Sequence, residues 1–358
     1  MVAGAGPAGA ATAIRAALAG LSVVIVEPRS APIDKACGEG IAHSAVDYLA
    51  RLGVGLTGRP FHGIRYLDGV HRVDARFRAG PGLGVRRTTL QQALTDRLAE
   101  LDVPVLQTRV GPITQNTTSV AAAGITARYL AAADGLHSPI RRQLGLARSG
   151  VDRTRLASPG TAASVIAGLI PTSGAGAVRR GLRQHFFVSP WTDLVEVYWS
   201  RLGEAYVTPV ADDLVGVAIL TSARGSFDSH LNAFPALRRR LCDARPAGAV
   251  MGAGPLRQRV RGRVAGRVLL VGDAAGYVDA LTGEGIAVAV RTSAELVDCV
   301  RKDRPEDYEA AWRRVSWECR LLTGSLLWAR NRQLLAPRIV PAAALLPGVY
   351  ATIVNRLS

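Results

Sequence analysis

The chain opens on apolar and small residues. Met1-Val2-Ala3 leads into glycines, then into Ala10, Ala11 and Ala13 at close spacing, and the run stops at Gly20. A short strand, a helix reaching about Ala19 and a glycine stop fit this order. Leu21-Ser22-Val23-Val24-Ile25-Val26-Glu27 follows, an apolar run closed by an acid, as in a parallel strand buried on both faces. Leu130 to Ala133 and Val268 to Val271 repeat the theme, each reaching an aspartate within two residues. Residues 185 to 220 instead alternate and carry Phe186, Phe187, Trp191, Tyr198, Trp199 and Tyr206, which predicts antiparallel strands in a second layer. Beyond residue 300 the pattern turns helical, with an amphipathic helix expected over Arg320 to Leu335. Pro337, Pro341 and Pro347 then cut the apolar tail Leu334 to Val354 into pieces. That tail is too interrupted to span a membrane and suits covering a pocket or resting on a lipid surface.

Chemistry sits where these patterns break. Gly4-Ala5-Gly6-Pro7-Ala8-Gly9 joins the first strand to the first helix. Gly4 permits the tight turn, Gly6 lets backbone approach a pyrophosphate, and Gly9 lets helix and sheet pack closely. Glu27, 18 residues after Gly9, ends the next strand near the spacing of a ribose-binding acid. Strand, helix, strand and acid in register predict dinucleotide binding. Only three residues precede Gly4, so the first strand is expected to be stunted. Further on, Asp134-Gly135 is followed by Ser138 and Arg141, a strand–turn–helix with Ser138 as helix cap. Val268 to Val271 leads into Gly272-Asp273, and Leu281-Thr282-Gly283-Glu284-Gly285-Ile286 opens another helix. An acid at a strand end suits a ribityl hydroxyl, and a helix N-terminus suits a phosphate or a flavin carbonyl.

Together the three segments resemble the para-hydroxybenzoate hydroxylase-like flavoproteins, a superfamily that includes aromatic hydroxylases and geranylgeranyl reductases. The resemblance runs from residue 1 to about residue 300 and implies non-covalent FAD, with NAD(P)H as a transient reductant. By similarity Gly4, Gly6, Pro7, Ala8, Gly9 and Glu27 hold the ADP half, and Val110 lies where such proteins meet adenine. Arg87 matches an arginine near the phosphates and ribityl chain, and Asp134 and Gly135 belong to the Asp-Gly motif. Gly272, Asp273, Gly283, Gly285 and Ile286 complete the cofactor site.

Other segments speak to the subclass. Asp34-Lys35-Ala36-Cys37-Gly38-Glu39-Gly40-Ile41 resembles the Cys-Gly motif of the reductase branch, placing Cys37 and Gly38 on the substrate face. Gly276 stands where hydroxylases carry a histidine, whereas Ala280 replaces the reductases' usual proline. Tyr206 and Pro209 match an aromatic-x-x-Pro segment that lines the substrate pocket. No acid–base pair stands out. Cys37, Glu39 and Glu284 are the candidates, although carboxylates are more commonly exposed and a single cysteine is more commonly a small buried hydrophobe. His185 has no partner identifiable by spacing.

The resemblance therefore implies an α/β fold with a discontinuous Rossmann-like FAD-binding domain (1–60, 85–150 and 255–300). A mostly antiparallel substrate domain (61–84 and 151–254) and a helical C-terminal segment (301–358) complete it. An FAD-dependent monooxygenase acting on a hydrophobic aromatic, polyketide or terpenoid substrate is the first expectation. A reductase of isoprenoid double bonds is the alternative, and a non-catalytic flavin-binding module is the alternative of another class.

Composition adds three constraints. Of 358 residues, 48% are apolar, which indicates a globular chain. The four cysteines are scattered without metal-ligand spacing, so no metal is expected and a cytoplasmic enzyme is the simplest reading, with peripheral membrane contact open. The net charge of +16 is carried almost wholly by arginines, since only Lys35 and Lys302 are lysines. Arg257, Arg259, Arg261, Arg263 and Arg267 alternate as if along one face of an extended segment. No aromatic interleaving accompanies them, so attraction to anionic surfaces is expected rather than a specific nucleic-acid site. Nothing in the pattern sets an oligomeric state.

Overall fold

The structure is a computed structural model of the protein and describes residues 1–148 and 178–357. Residues 149–177, including the first part of the second segment (151–254) of the expected substrate domain, lie outside the described residues. Two large sheets organise the rest. The first has six strands in the order Val264–Ala265, Val268–Leu270, Leu130–Ala132, Val2–Ala3, Ile25–Val26 and Val105–Leu106. All neighbours are parallel except the first pair. Strands from both ends of the sequence thus share one ladder. Val2 lies opposite Ile25 on one side and Ala131 on the other, so the stunted first strand is central. Its length limits its neighbour: of the run Leu21 to Glu27 only Ile25–Val26 forms strand, because the flanking strands offer two residues each.

Helix Pro7–Leu18 packs on this sheet through fully buried Ala10, Ala11, Ala13 and Ile14, and helices Arg87–Glu100 and Gly285–Arg301 lie beside it. Alanines on the facing stripe allow that close approach. Gly20 ends the first helix at φ +74°, a left-handed value that glycine adopts without strain.

The second sheet has seven strands in the order Arg245–Ala253, Arg180–Phe187, Leu214–Thr221, Gly203–Ala211, Val195–Ser200, Gly63–Leu67 and Arg72–Arg76. It is antiparallel except that Val195–Ser200 runs parallel to Gly63–Leu67, a connection the alternating pattern did not reveal. Helices Phe227–Leu231 and Pro235–Arg240 cover one face, clustering Phe227 and Leu237 with Phe186 and Val217 of the sheet. A small antiparallel sheet of Gly40–Ile41, Gly82–Gly84 and Arg59–Phe61 joins the layers. At Gly84 a Cβ would lie 1.8 Å from the Pro209 carbonyl oxygen, so only glycine permits this contact.

The C-terminal helix is Tyr308–Arg330, beginning and ending earlier than the expected Arg320 to Leu335. Its apolar stripe starts at buried Tyr308 and Trp312, and Arg330 anchors its end on the carbonyls of Ser200 and Arg201. The proline-cut tail folds as helices Ile339–Leu345 and Pro347–Leu357 against the edge strand Arg72–Arg76. The arginine run is not one solvated face. Arg263 is buried 3.4 Å from the Trp312 ring centroid and paired with Glu309 at 2.6 Å, and burial draws its pKa to about 10. Arg267 pairs with Asp303 instead.

Candidate cofactor and substrate site

A cavity of about 890 Å³ is lined by both sheets and by the C-terminal helices. Its size falls within the usual range of ligand pockets. Of the residues expected at the cofactor, it gathers Gly6, Pro7, Ala8, Arg87, Asp134, Gly135, Gly272, Asp273, Gly283, Gly285 and Ile286. Gly4, Gly9 and Glu27 stand behind this wall and shape it. Gly4 has φ +101°, and a Cβ there would lie 2.5 Å from the Ala133 carbonyl oxygen. A Cβ on Gly9 would lie 1.8 Å from the Gly4 carbonyl oxygen. Buried Glu27 accepts from Ala5 N at 3.0 Å and from Arg29 Nε at 2.8 Å. Burial alone would raise its pKa, but these donors together hold it below the usual carboxylate range. Val110 is outside the cavity; its carbonyl accepts from Ala123 N, in the turn between strands Val120–Ala122 and Ile125–Ala127, an engagement that residue type does not reveal.

The wall fits a dinucleotide on its own terms. A Cβ on Gly6 would meet only Arg87 Nη2, at 3.9 Å, so the space before that glycine is open. The next residues open helix Pro7–Leu18, where Pro7 has no N–H and the amides of Ala8 and Gly9 find no partner within the helix. Arg87 Nε and Asp134 Oδ1 are buried without a hydrogen-bond partner. Such orphaned atoms suit the polar groups of a bound ligand. Asp134 Oδ2 accepts from Ile140 N at 3.0 Å, and burial raises its pKa.

Arg141 fastens the second motif to the third. The side chain is fully buried and donates to the carbonyls of Leu136 and Ala274, at 2.9 and 3.0 Å, and to Gln258 Oε1 at 2.7 Å. Ser138 Oγ accepts from Arg141 N, forming the expected helix cap. Gly272, at φ +63°, would drive a Cβ to 2.5 Å from Ala8 Cβ, so the first and third motifs also touch. Asp273 reaches the cavity already paired with Lys35 Nζ at 2.8 Å, a partner 238 residues away that no spacing suggests.

The segment 34–40 forms the opposite wall. Cys37, Gly38 and Glu39 line the cavity. Glu39 is buried rather than exposed, and its backbone has φ +61°, uncommon for a residue other than glycine. Its Oε1 accepts from Arg87 N at 2.9 Å and its Oε2 meets His185 Nε2 at 2.6 Å. Arg183 Nη1 lies 2.9 Å from His185 Nδ1. Because the guanidinium only donates, Nδ1 accepts, and Nε2 carries the proton it gives to Glu39. Gly216 leaves the room this carboxylate needs, since a Cβ there would lie 2.8 Å from Glu39 Oε2. Thr208 Oγ1 donates to Gly38 O at 2.7 Å and holds the segment on the second sheet.

Tyr206 lines the cavity and donates to Leu281 O at 2.8 Å, with burial raising its pKa. Pro209 does not line it; it faces Gly84, because that strand turns its Pro209 end toward the small sheet. Glu284 is also buried, and burial pushes its pKa up to about 7. Near neutral pH this carboxyl can carry and release a proton. The far wall is apolar and comes from Leu326 of helix Tyr308–Arg330 and from the tail: Ile339, Leu346, Val349, Tyr350 and Ile353. Among the described residues no group of His, Cys, Asp or Glu could hold a metal ion.

A glycine cradle at a helix start, with orphaned polar atoms beside it, defines a dinucleotide site that runs on into a long apolar cavity. Residues 1–173 match the family model described as "FAD binding domain". Menaquinone reductase of Mycolicibacterium smegmatis is 29% identical over 336 residues, which cover 87% of this chain and 78% of that one. Digeranylgeranylglycerophospholipid reductase 2 of Methanosphaera stadtmanae is 26% identical, covering 82% of this chain and 75% of that one. CmlS, a flavin-dependent halogenase, superimposes with a TM-score of 0.75 at 19% identity, over 92% of this chain and 63% of that one, a likeness of fold. The chain is an FAD-dependent oxidoreductase whose first half matches an FAD-binding domain and whose sequence is similar to menaquinone and digeranylgeranylglycerophospholipid reductases.

Proposed function

We propose that this enzyme reduces a carbon–carbon double bond in a long isoprenoid lipid, the second of the two activities the sequence suggested. The supporting observation is the cavity itself, which joins the Gly6 cradle to an apolar chamber built from the C-terminal helices. Two relatives named as reductases, of menaquinone and of a digeranylgeranyl glycerophospholipid, weigh the same way. A chain of isoprene units offers only apolar surface, and burying it along such a wall contributes about 25 cal/mol per Å².

In this reading Gly6, Arg87, Asp134 and Asp273 would hold FAD, which once reduced by NAD(P)H would supply a hydride, that is two electrons and one of the two hydrogens added, leaving one proton to be provided by the protein. The protein's own groups do the rest. Glu284 holds a proton near neutral pH and is placed on the cavity wall to give it to the carbon being reduced. Glu39, clamped between Arg87 N and His185, fixes the Cys37–Gly38 backbone against the chamber. Tyr206, tied to Leu281 O, fixes the inner wall next to the segment that leads to Glu284, so a side chain is at hand as the proton source.

The test is an anaerobic turnover of the FAD-loaded protein with NAD(P)H and a geranylgeranyl lipid, followed by product mass. A gain of two hydrogens is the expected result. With air admitted, a gain of one oxygen atom, with matching oxygen uptake, would establish monooxygenation and refute the reading.

A further inference from the structure

We infer that the two C-terminal helices are a docking surface for an anionic lipid bilayer, set over the mouth of the cavity. Leu346, Val349 and Ile353 line the cavity and are also among the exposed large hydrophobic residues, so the cavity opens through their face. Leu345, 81% exposed, precedes them in the chain, and Leu334, 76% exposed, and Trp328 on the preceding helix add further exposed apolar surface. Clusters of large apolar side chains at the surface mark a partner rather than a solvated face.

Charge selects the partner. The last forty residues, 319–358, contain five arginines and no aspartate or glutamate; Arg320 lies over Trp312, Arg330 is held by Glu204 and Arg356 pairs with Glu318, while Arg332 and Arg338 are exposed beside the apolar face. Arg332 stacks 4.3 Å from the Trp328 ring centroid, and Arg338 stands exposed at the start of helix Ile339–Leu345. An apolar patch flanked by two exposed arginines and a tryptophan matches the headgroup boundary of an anionic membrane. A soluble protein partner would need acidic residues around its own apolar patch, whereas a bilayer supplies both features over any area.

The geometry also says how the surface sits. Among the described residues no single helix is long and apolar enough to cross a membrane. Ala336–Leu345 and Pro347–Arg356 pass that test only as a pair, and the pair bends by 104°. Such a bend lays both helices along the interface, and helix Pro347–Leu357 is held there by Tyr350 Oη donating to Ile64 O at 3.2 Å. The cavity mouth then faces the acyl region, and an isoprenoid chain can enter without crossing water. That last step rests on the proposed double-bond reduction; the docking does not.

The experiment is co-sedimentation of the full-length, FAD-loaded protein with vesicles. One set contains phosphatidylglycerol and phosphatidylcholine in equal parts, the other phosphatidylcholine alone. The protein should sediment with the anionic vesicles, should bind the neutral ones several-fold less, and should be released by alkaline carbonate. The double variant Leu334→Asp/Leu345→Asp should lose about tenfold or more of that binding, because each exposed isobutyl group forfeits its burial. Neither residue lines the cavity, so the variant should keep its flavin absorbance and its rate on a detergent-dispersed substrate. Failure of the native protein to sediment, or equal sedimentation of the variant, overturns the proposal. Resistance to carbonate extraction overturns it in favour of insertion. A lipid-free dimer that the double variant dissociates overturns it in favour of a second copy of the chain. Sedimentation is read without turnover, so a wrong assignment of the reaction leaves this result intact.

Discussion

Gly6 and Gly9 belong to the same short motif, yet the structure assigns them opposite costs. At Gly9 a Cβ would sit 1.8 Å from the Gly4 carbonyl oxygen, backbone that cannot step aside. Gly9→Ala should therefore cost the fold about 3 kcal/mol or more, since overpacking against a rigid neighbour typically costs 1–3 and sometimes exceeds it. At Gly6 the backbone has φ −63° and ψ 175°, accessible to any residue, and a Cβ meets nothing nearer than 3.9 Å. Gly6→Val should leave stability within about 0.5 kcal/mol. Its isopropyl group, however, enters the space through which a pyrophosphate reaches the amides of Ala8 and Gly9. Two hydrogen bonds to a charged group, at about 1.5–3 kcal/mol each, are then lost. That is about 10²- to 10⁴-fold in FAD affinity.

The assay pairs thermal melting of the apoprotein with FAD titration by fluorescence quenching. Gly6→Val should melt like the native apoprotein and fail to bind FAD, and Gly9→Ala should melt several degrees lower. Tight FAD binding by Gly6→Val would refute the cradle. A normal melting temperature for Gly9→Ala would refute the packing argument.

Three further outcomes follow from single side chains. The pKa of Glu284, raised from 4.5 to about 7, means its carboxyl stabilises the fold fully below about pH 4.5, and that contribution is lost as pH rises through 7. Denaturant melts at pH 5 and pH 8 should show the native protein losing about 3 kcal/mol relative to Glu284→Gln; parallel curves would refute this. Arg141→Met should lower stability by about 3–5 kcal/mol in the same melts by stranding its buried acceptors, and Arg141→Lys should not rescue it, because one ammonium cannot serve the guanidinium's divergent partners. A double-mutant cycle of Glu39→Gln and His185→Phe should give a coupling energy of at least about 1 kcal/mol, and additivity would mean the pair is not formed.

The cofactor half was legible because its chemistry is local. A glycine that must turn tightly, a small residue at a close approach and an acid at a strand end are demands of neighbouring backbone, so they appear as fixed spacing. Gly4, Gly9 and Gly272 each meet such a demand. The opposite wall was illegible for the converse reason. Glu39 meets His185 across 146 residues and Lys35 meets Asp273 across 238, so their separations carry no periodicity. Residue type misleads there as well: a glutamate is expected at the surface, and only assembled donors make burial of Glu39 tolerable. Val110 and Pro209 failed similarly, since a carbonyl turned toward Ala123 or Gly84 leaves no mark on residue type.

The two halves also differ in what a substitution can reach, and this bears on how one fold serves different substrates. The cradle depends on backbone contacts among Gly4, Gly9, Gly272 and Ala8, so few side chains are free to vary there. The apolar chamber depends on side chains of Ile339, Leu346, Val349 and Ile353, carried on two short helices and the link between them, whose ladders are internal to each piece. Those helices touch the edge strand Arg72–Arg76 and leave the central sheet undisturbed. Chamber length and polarity can therefore change without disturbing the dinucleotide site. A chain-length series of isoprenoid substrates, run on tail variants such as Val349→Trp, should shift which length is preferred while the FAD dissociation constant stays fixed. A parallel loss of FAD would show that the chamber and the cradle are one packing unit.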